Sequence, residues 1–410
     1  MATPDAGGKP AAKSSLKVAE FDKRSGRAVI SGPDAGTPPK GKEATTKPAA
    51  PVAVGDVIAS APAPGAPHGV LAKVTKVVGK TGKGTEVKTA PASLGALLGG
   101  STAKGQVPVD PSAVKVEPLA PKVKVSWAKT GKMHFGPKGA QLPLGSLRID
   151  VSAALPTVKG SAGSVDASAS GFVQLAPEVD FSYDGKGITS GTPGTASLSL
   201  SGDWSSRWEL KGQAAASTAD GKPLRIPFAK LHADPVIQVG PVPVVVNLDL
   251  TCYLQVDADG KASVDVEQKV KGGFRIGGSY NRAKGWTPIA KAHMNGTPVT
   301  ATATAAGKVK AALGADASVG LYGSVGVTGT VAPYLRAEVK GTATGDSNGT
   351  GALAGKWAAF GGVDLSGALW AHLDVFGTPV FERRIPLGPW NREWKLASGE
   401  GAVRTPTKRS

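Results

Sequence analysis

The chain has 410 residues, of which 40% are apolar but only 5% aromatic, with 56 Gly and 32 Pro. That balance favours short-turned β structure over helix bundles and leaves room for several domains. The net charge of +17 is diffuse: residues 1–130 carry 19 Lys/Arg against 9 Asp/Glu, and the remainder 29 against 22. With no run of five basic residues and no zinc-finger, helix-turn-helix or RNA-binding signature, specific nucleic-acid recognition is set aside. Diffuse contact with anionic wall polymers or membrane surfaces is kept.

In chain order, residues 1–50 read as a disordered Ala/Pro/Lys-rich arm, with too few large apolar groups to offset ordering entropy. One island in it, Arg27-Ala28-Val29-Ile30, has strand character. Residues 51–100 read as a small β module. Its strands are Val52–Ile58, Val70–Val78 and Thr85–Thr89, with a hairpin loop at Gly82-Lys83-Gly84. Residues 91–98 follow as one or two helical turns, Pro91 suiting a first helical position. Residues 101–120 read as a Pro/Val/Lys linker. From 121 to 398 alternation of period two recurs, as in Phe172–Tyr183 and Ala196–Trp204. Asp259-Gly260 predicts a hairpin turn between Tyr253–Asp257 and Ala262–Gln268, and Leu369–Phe376 reads as a late strand. The expected fold is all-β: a large antiparallel β-sandwich or elongated multi-sheet domain, divisible near residue 235, with residues 399–410 a disordered tail. The block from Pro298 to Thr344 alternates small residues. Close packing of sheets explains it, and a membrane-inserting hairpin is the alternative, with a pore-forming or lipid-binding role.

Two resemblances bear on location. Val54-Gly55-Asp56-Val57-Ile58, Gly69–Val77 and Thr85–Leu94 occur in an order that resembles a small β module of uncharacterised bacterial surface and secreted proteins. Val239–Leu248, Gly278–Trp286 and Leu321–Gly326 are similar in order to a family of large secreted β proteins. Both imply an exported, extracellular or cell-surface protein, and neither implies an activity. The N-terminus Met1-Ala2-Thr3-Pro4-Asp5 has no basic or apolar leader, so the expectation is an exported chain whose signal peptide is absent from this sequence. No apolar run approaches the ~18 residues of a spanning helix.

Catalytic motifs are missing from the sequence. It holds no G-x-S-x-G elbow and no phosphate loop. Cys252 is the only cysteine; it forms no internal disulfide and reads as a buried structural thiol. The five histidines, His68, His134, His232, His293 and His372, show no metal-ligand spacing, so no metal or other cofactor is expected. Asp257-Ala258-Asp259-Gly260 begins like a calcium loop, but Lys261 and Gln268 stand where its fifth and twelfth ligands belong. Asp180, Asp203, Glu209 and Glu382 are candidates for a hydrolase carboxylate pair that only the fold could assemble. The more informative residues are aromatic. All Trp except Trp127 lie after residue 200, and three groups combine rings with charge: Trp204, Arg207 and Trp208; Tyr280, Arg282 and Trp286; Trp390, Arg392 and Trp394. Rings beside Arg stack on sugars or anchor protein interfaces, and equally they fill cores. The expectation is a non-catalytic exported binding or structural protein contacting a surface glycan, an anionic polymer or a protein partner.

Overall fold

The computed structural model describes residues 2–3, 12–13, 16–32, 51–63, 65–108, 114–119, 123–128, 134–136, 139–141, 146–154, 158–160, 163–185, 194–215, 223–239, 241–259, 261–296, 300–303, 307–346, 353–378 and 383–401. It is all-β and antiparallel, as the alternation predicts.

The first sheet contains β1 (Ala2–Thr3), β2 (Ala12–Lys13), β3 (Lys17–Asp22), β4 (Arg27–Ser31), β5 (Val57–Ser60), β6 (Val70–Thr81) and β7 (Gly84–Pro91), in the order β2-β1-β5-β6-β7-β4-β3. Part of the expected arm is therefore structured. β3 and β4 form a hairpin, and β4 pairs with β7 through Arg27↔Lys88 to Ile30↔Thr85. The apolar residues that make this possible are few but well placed: Val18, Ala28 and Ile30 bury against Val70, Val74 and Val87. The helix α1 (Leu94–Leu98) starts later than Pro91 suggests. Pro91 ends β7, and Ser93 caps α1 by accepting from the Ala96 N–H.

The second sheet contains β8 (Thr102–Pro108), β9 (Lys115–Pro118) and β10 (Val123–Ala128), so the expected linker supplies two strands. A separate two-stranded ribbon joins β11 (His134–Gly136) to β12 (Gly139–Gln141). The second sheet continues with β13 (Ser146–Ala154), β14 (Val158–Gly160), β15 (Gly163–Asp184), β16 (Thr195–Ala215), β17 (Leu224–Ala233), β18 (Val236–Val239), β19 (Val242–Asp259), β20 (Lys261–Asn281), β21 (Gly285–Gly296), β22 (Thr300–Ala303), β23 (Gly307–Leu321), β24 (Ser324–Asp346) and β25 (Leu353–Trp370). A 3-10 helix at Ala371–Phe376 precedes β26 (Arg384–Pro386) and β27 (Trp390–Gly401). β27 runs three residues into the expected tail, and the late strand ends at Trp370.

The hairpin expected at Asp259-Gly260 does not form. Val246↔Leu321, Asp259↔Lys308 and Val264↔Ala303 share one register, so β19 pairs with β23 and β20 with β22 rather than β19 with β20. Long-range pairing with the 300–321 segment overrides the local turn preference. β16 and β17 likewise pair with β20 and β19 in turn. Strands before and after residue 235 thus pair within one sheet that supplies both layers of a sandwich.

One layer contains β15, β16, β20 and β21; the other contains β17, β19, β23, β24, β25 and β27. They face each other across a shared core holding Phe181, Leu198, Ile276, Val327, Leu365 and Leu369. Small residues allow the close approach: a Cβ on Gly278 would lie 2.9 Å from Leu369, and one on Gly326 would lie 2.8 Å from Leu373. Of the glycines in the 298–344 block, Gly329 likewise faces Ile276 of the other layer, whereas Gly314 makes room for the Tyr253 ring and Gly320 for the hairpin backbone at Ser324. At one end of the sandwich the 3-10 helix inserts Leu373 and Phe376 between the layers, and Leu94, Leu97 and Leu98 of α1 join the same core. Here too the turn Tyr322-Gly323, with φ of 50° and 73°, closes the hairpin β23–β24. The first sheet docks beside it, placing Val57 and Ala59 in the large core.

Candidate functional site

Residues facing the core alternate along each strand, so the intervening residues form an outer face. On the layer of β15, β16, β20 and β21, register aligns two outward rows. One runs Ala176–Asp203–Gly273–His293 and the next Glu178–Ser201–Arg275–Lys291. Together they line a groove of about 310 Å³. Gly273 opens its floor, since a Cβ there would lie 2.5 Å from the His293 ring and 2.8 Å from the Asp203 carboxylate. At the groove edge Asp180 accepts from the Ser201 hydroxyl at 3.0 Å and lies 3.6 Å from the Arg275 guanidinium, which donates to Ser199 at 3.1 Å.

Four charged or ionisable groups of the groove, Glu178, Asp203, Lys291 and His293, make no hydrogen bond or ion pair among the described residues. Burial raises the Glu178 pKa above the usual carboxylate range, reinforced by the charges of Asp180 and Asp203. The outer face of the other layer is different. Arg225 pairs with Asp316 at 2.9 Å, Lys310 with Asp364 at 2.6 Å, and Arg336 donates to Glu393 at 2.9 Å. Arg225 and Lys310 also lie over the rings of Tyr253 and Tyr334. One face is internally satisfied, and the other holds free donors and acceptors around a hollow.

The aromatic candidates fall mostly elsewhere. Trp204, Tyr280 and Trp286 are buried at 5%, 4% and 7% exposure. This corrects the expectation of presented rings. Trp286 donates its indole N–H to Thr378 at 2.9 Å and packs on Tyr280 and Phe376, so only Arg282 of that group is exposed. Trp390 and Trp394 pack against the core from the edge strand β27, with Arg392 over the Trp394 ring. Arg207 is exposed, while the side chains of Trp208 and Glu209, and Glu382 as a whole, lie outside the described residues. Of the four candidate acids, Asp203 lines the groove and Asp180 sits at its edge. Glu178, Lys291 and His293 escape a sequence reading, their signal being a charged-x-charged pattern on neighbouring strands.

Among the described residues no helix is long and apolar enough to cross a membrane. Comparison with family models, with curated proteins and with solved structures returns no match for this chain.

Proposed function

We propose that this chain is a non-catalytic, exported binding protein whose groove between Asp203 and Lys291 takes a polyhydroxylated, glycan-type ligand of a cell surface or wall. The observation that carries this reading is the set of unpartnered groups around a preformed hollow: Glu178, Asp203, Lys291 and His293. Vicinal hydroxyls both donate and accept, so they match carboxylates beside an ammonium and an imidazole. Two acids against Arg275 and Lys291 give the groove no strong preference for a polyanion. Exported location is supported by composition and by the two resemblances. Retention on purified wall polysaccharide and on a glycan array tests the reading. Retention lost in Asp203→Ala and Lys291→Ala supports it; retention equal in both variants and the parent overturns it.

A second reading rests on Glu178. A carboxyl whose pKa is raised by burial, with a second carboxylate nearby at Asp203, matches the arrangement of a general acid and its partner in glycoside hydrolysis. Release of reducing ends, abolished by Glu178→Gln while retention persists, would favour that reading over pure binding.

A further inference from the structure

We infer that the junction between the two sheets is a zinc-class metal site formed by His68, His232 and Asp234. His68 precedes β6 in the first sheet, His232 lies near the end of β17, and Asp234 follows it. The Asp234 carboxylate is met from two sides. Its Oδ1 lies 3.2 Å from His68 Nδ1, and its Oδ2 lies 2.8 Å from His232 Nε2. The three ligand atoms all lie within 4.8 Å of one another. A tetrahedral zinc with nitrogen and oxygen ligands at about 2.0–2.2 Å separates them by about 3.3 Å. Shifts of a few tenths of an ångström to about 1.5 Å would therefore admit the ion.

The surroundings are those of a supported site. Asp249 faces His232 across the β17–β19 pair, and its Oδ1 lies 2.6 Å from His232 Nδ1. Without an ion Nε2 donates to Asp234; zinc would displace that proton, while a proton kept on Nδ1 and donated to Asp249 completes the carboxylate–histidine–metal arrangement. Asn247, 6% exposed, donates its amide to Asp234 Oδ1 and accepts from the Gly323 N–H, fixing the carboxylate against the β23–β24 turn. The rings of His68 and His232 meet edge to face at 5.3 Å. Side-chain exposures of 44%, 25% and 15% for His68, His232 and Asp234 leave an entry path and a fourth position open to water. Two imidazoles and one carboxylate suit zinc over calcium or magnesium.

Only His68 comes from the first sheet, so the ion would clamp that sheet onto the large sandwich, beside the Lys23 bond to the Gly323 carbonyl at 3.1 Å. Sequence spacing hides the site because His68 is 166 residues from Asp234.

The test uses the full chain without a histidine tag, stripped with chelator and titrated with zinc chloride. Calorimetry, elemental analysis and thermal unfolding are read together. The expected result is about one zinc per chain, a raised unfolding temperature and no comparable response to calcium. His68→Gln and Asp234→Asn should weaken binding about 100-fold or more. Asp249→Ala should weaken it about 10- to 100-fold, and each variant is checked for native Trp fluorescence. His68→Gln changes a half-buried side chain and remains informative should Asp234→Asn fail to fold. No uptake at micromolar zinc overturns the inference; the cluster is then held by a proton on His232. Parental affinity in a folded His68→Gln chain overturns it equally.

Discussion

Replacing Phe376 by Ala tests whether the 3-10 helix closes one end of the sandwich. The ring is fully buried, stacked on Phe181 and tilted against Trp286, each at 5.7 Å between centroids. Its removal forfeits about 2–3 kcal/mol of transfer free energy and two ring contacts of about 0.5–1 kcal/mol each. The walls belong to β15 and β21, which register holds in place, so the space persists as a cavity. The total is about 4 kcal/mol, within the roughly 3–5 kcal/mol expected for a buried Phe→Ala change. Urea unfolding followed by Trp fluorescence measures it, with Phe376→Leu as a volume control expected to cost less than half as much. A loss below about 1.5 kcal/mol for Ala, or equal losses for Ala and Leu, would refute the plug argument.

Glu178→Gln should change how stability depends on pH. Its folded pKa is raised, so the folded chain binds more protons than the unfolded one above the ordinary glutamate value. The parent therefore loses stability as pH rises from the ordinary glutamate value through that raised value, and the variant gains relative to it over the same span. Facing groups Asp180, Asp203, Arg275, Lys291 and His293 are common to both proteins, so an unchanged difference across that range would count against the environment described. Burial, reinforced by Asp316, pushes the Cys252 thiol up to about 12. Iodoacetamide at about pH 8 should leave the native protein unlabelled and modify it only after unfolding, as mass spectrometry would read. Gly278→Val should destabilise by about 1–3 kcal/mol, because its side chain would enter space held by Leu369 and Trp286; a neutral result in urea would mean that the layers do not approach as closely as described.

Period-two alternation makes β15, β16 and much of β19 legible from the sequence, because inward residues such as Phe181, Leu198 and Leu250 recur on one face. Legibility fails where pairing is non-local. Asp259-Gly260 has the chemistry of a turn, but β19 pairs with β23 and β20 with β22 in one continuous register instead of with each other. Leu369–Phe376 alternates like a strand, yet after Trp370 the chain turns inward as a 3-10 helix closed by Gly377 in the left-handed region. β3 and β4 lie in a low-complexity stretch, and only contact with Val70, Val74 and Val87 gives their small apolar set a core to join. The groove was beyond a linear reading for the same reason: Asp203 and His293 become neighbours only through Gly273, on a strand between them.

The aromatic residues illustrate how composition misleads about function in a chain this poor in rings. With only 5% aromatic residues, a core spanning two long layers draws on nearly every large ring near it. Trp204, Tyr280, Trp286 and Phe376 are consumed in that way, and Tyr253 and Tyr334 are spread over glycines on the outer face beneath Arg225 and Lys310. Recognition then has to rest on polar side chains, and those left without partners mark it better than the rings do. The ionic ladder on the outer face of the second layer has satisfied itself, whereas Glu178, Asp203, Lys291 and His293 have not. β16 pairs with β20 at the groove, and β17 pairs with β19 at the junction of His232 and Asp249. Both polar clusters are thus placed by strands of one antiparallel sheet.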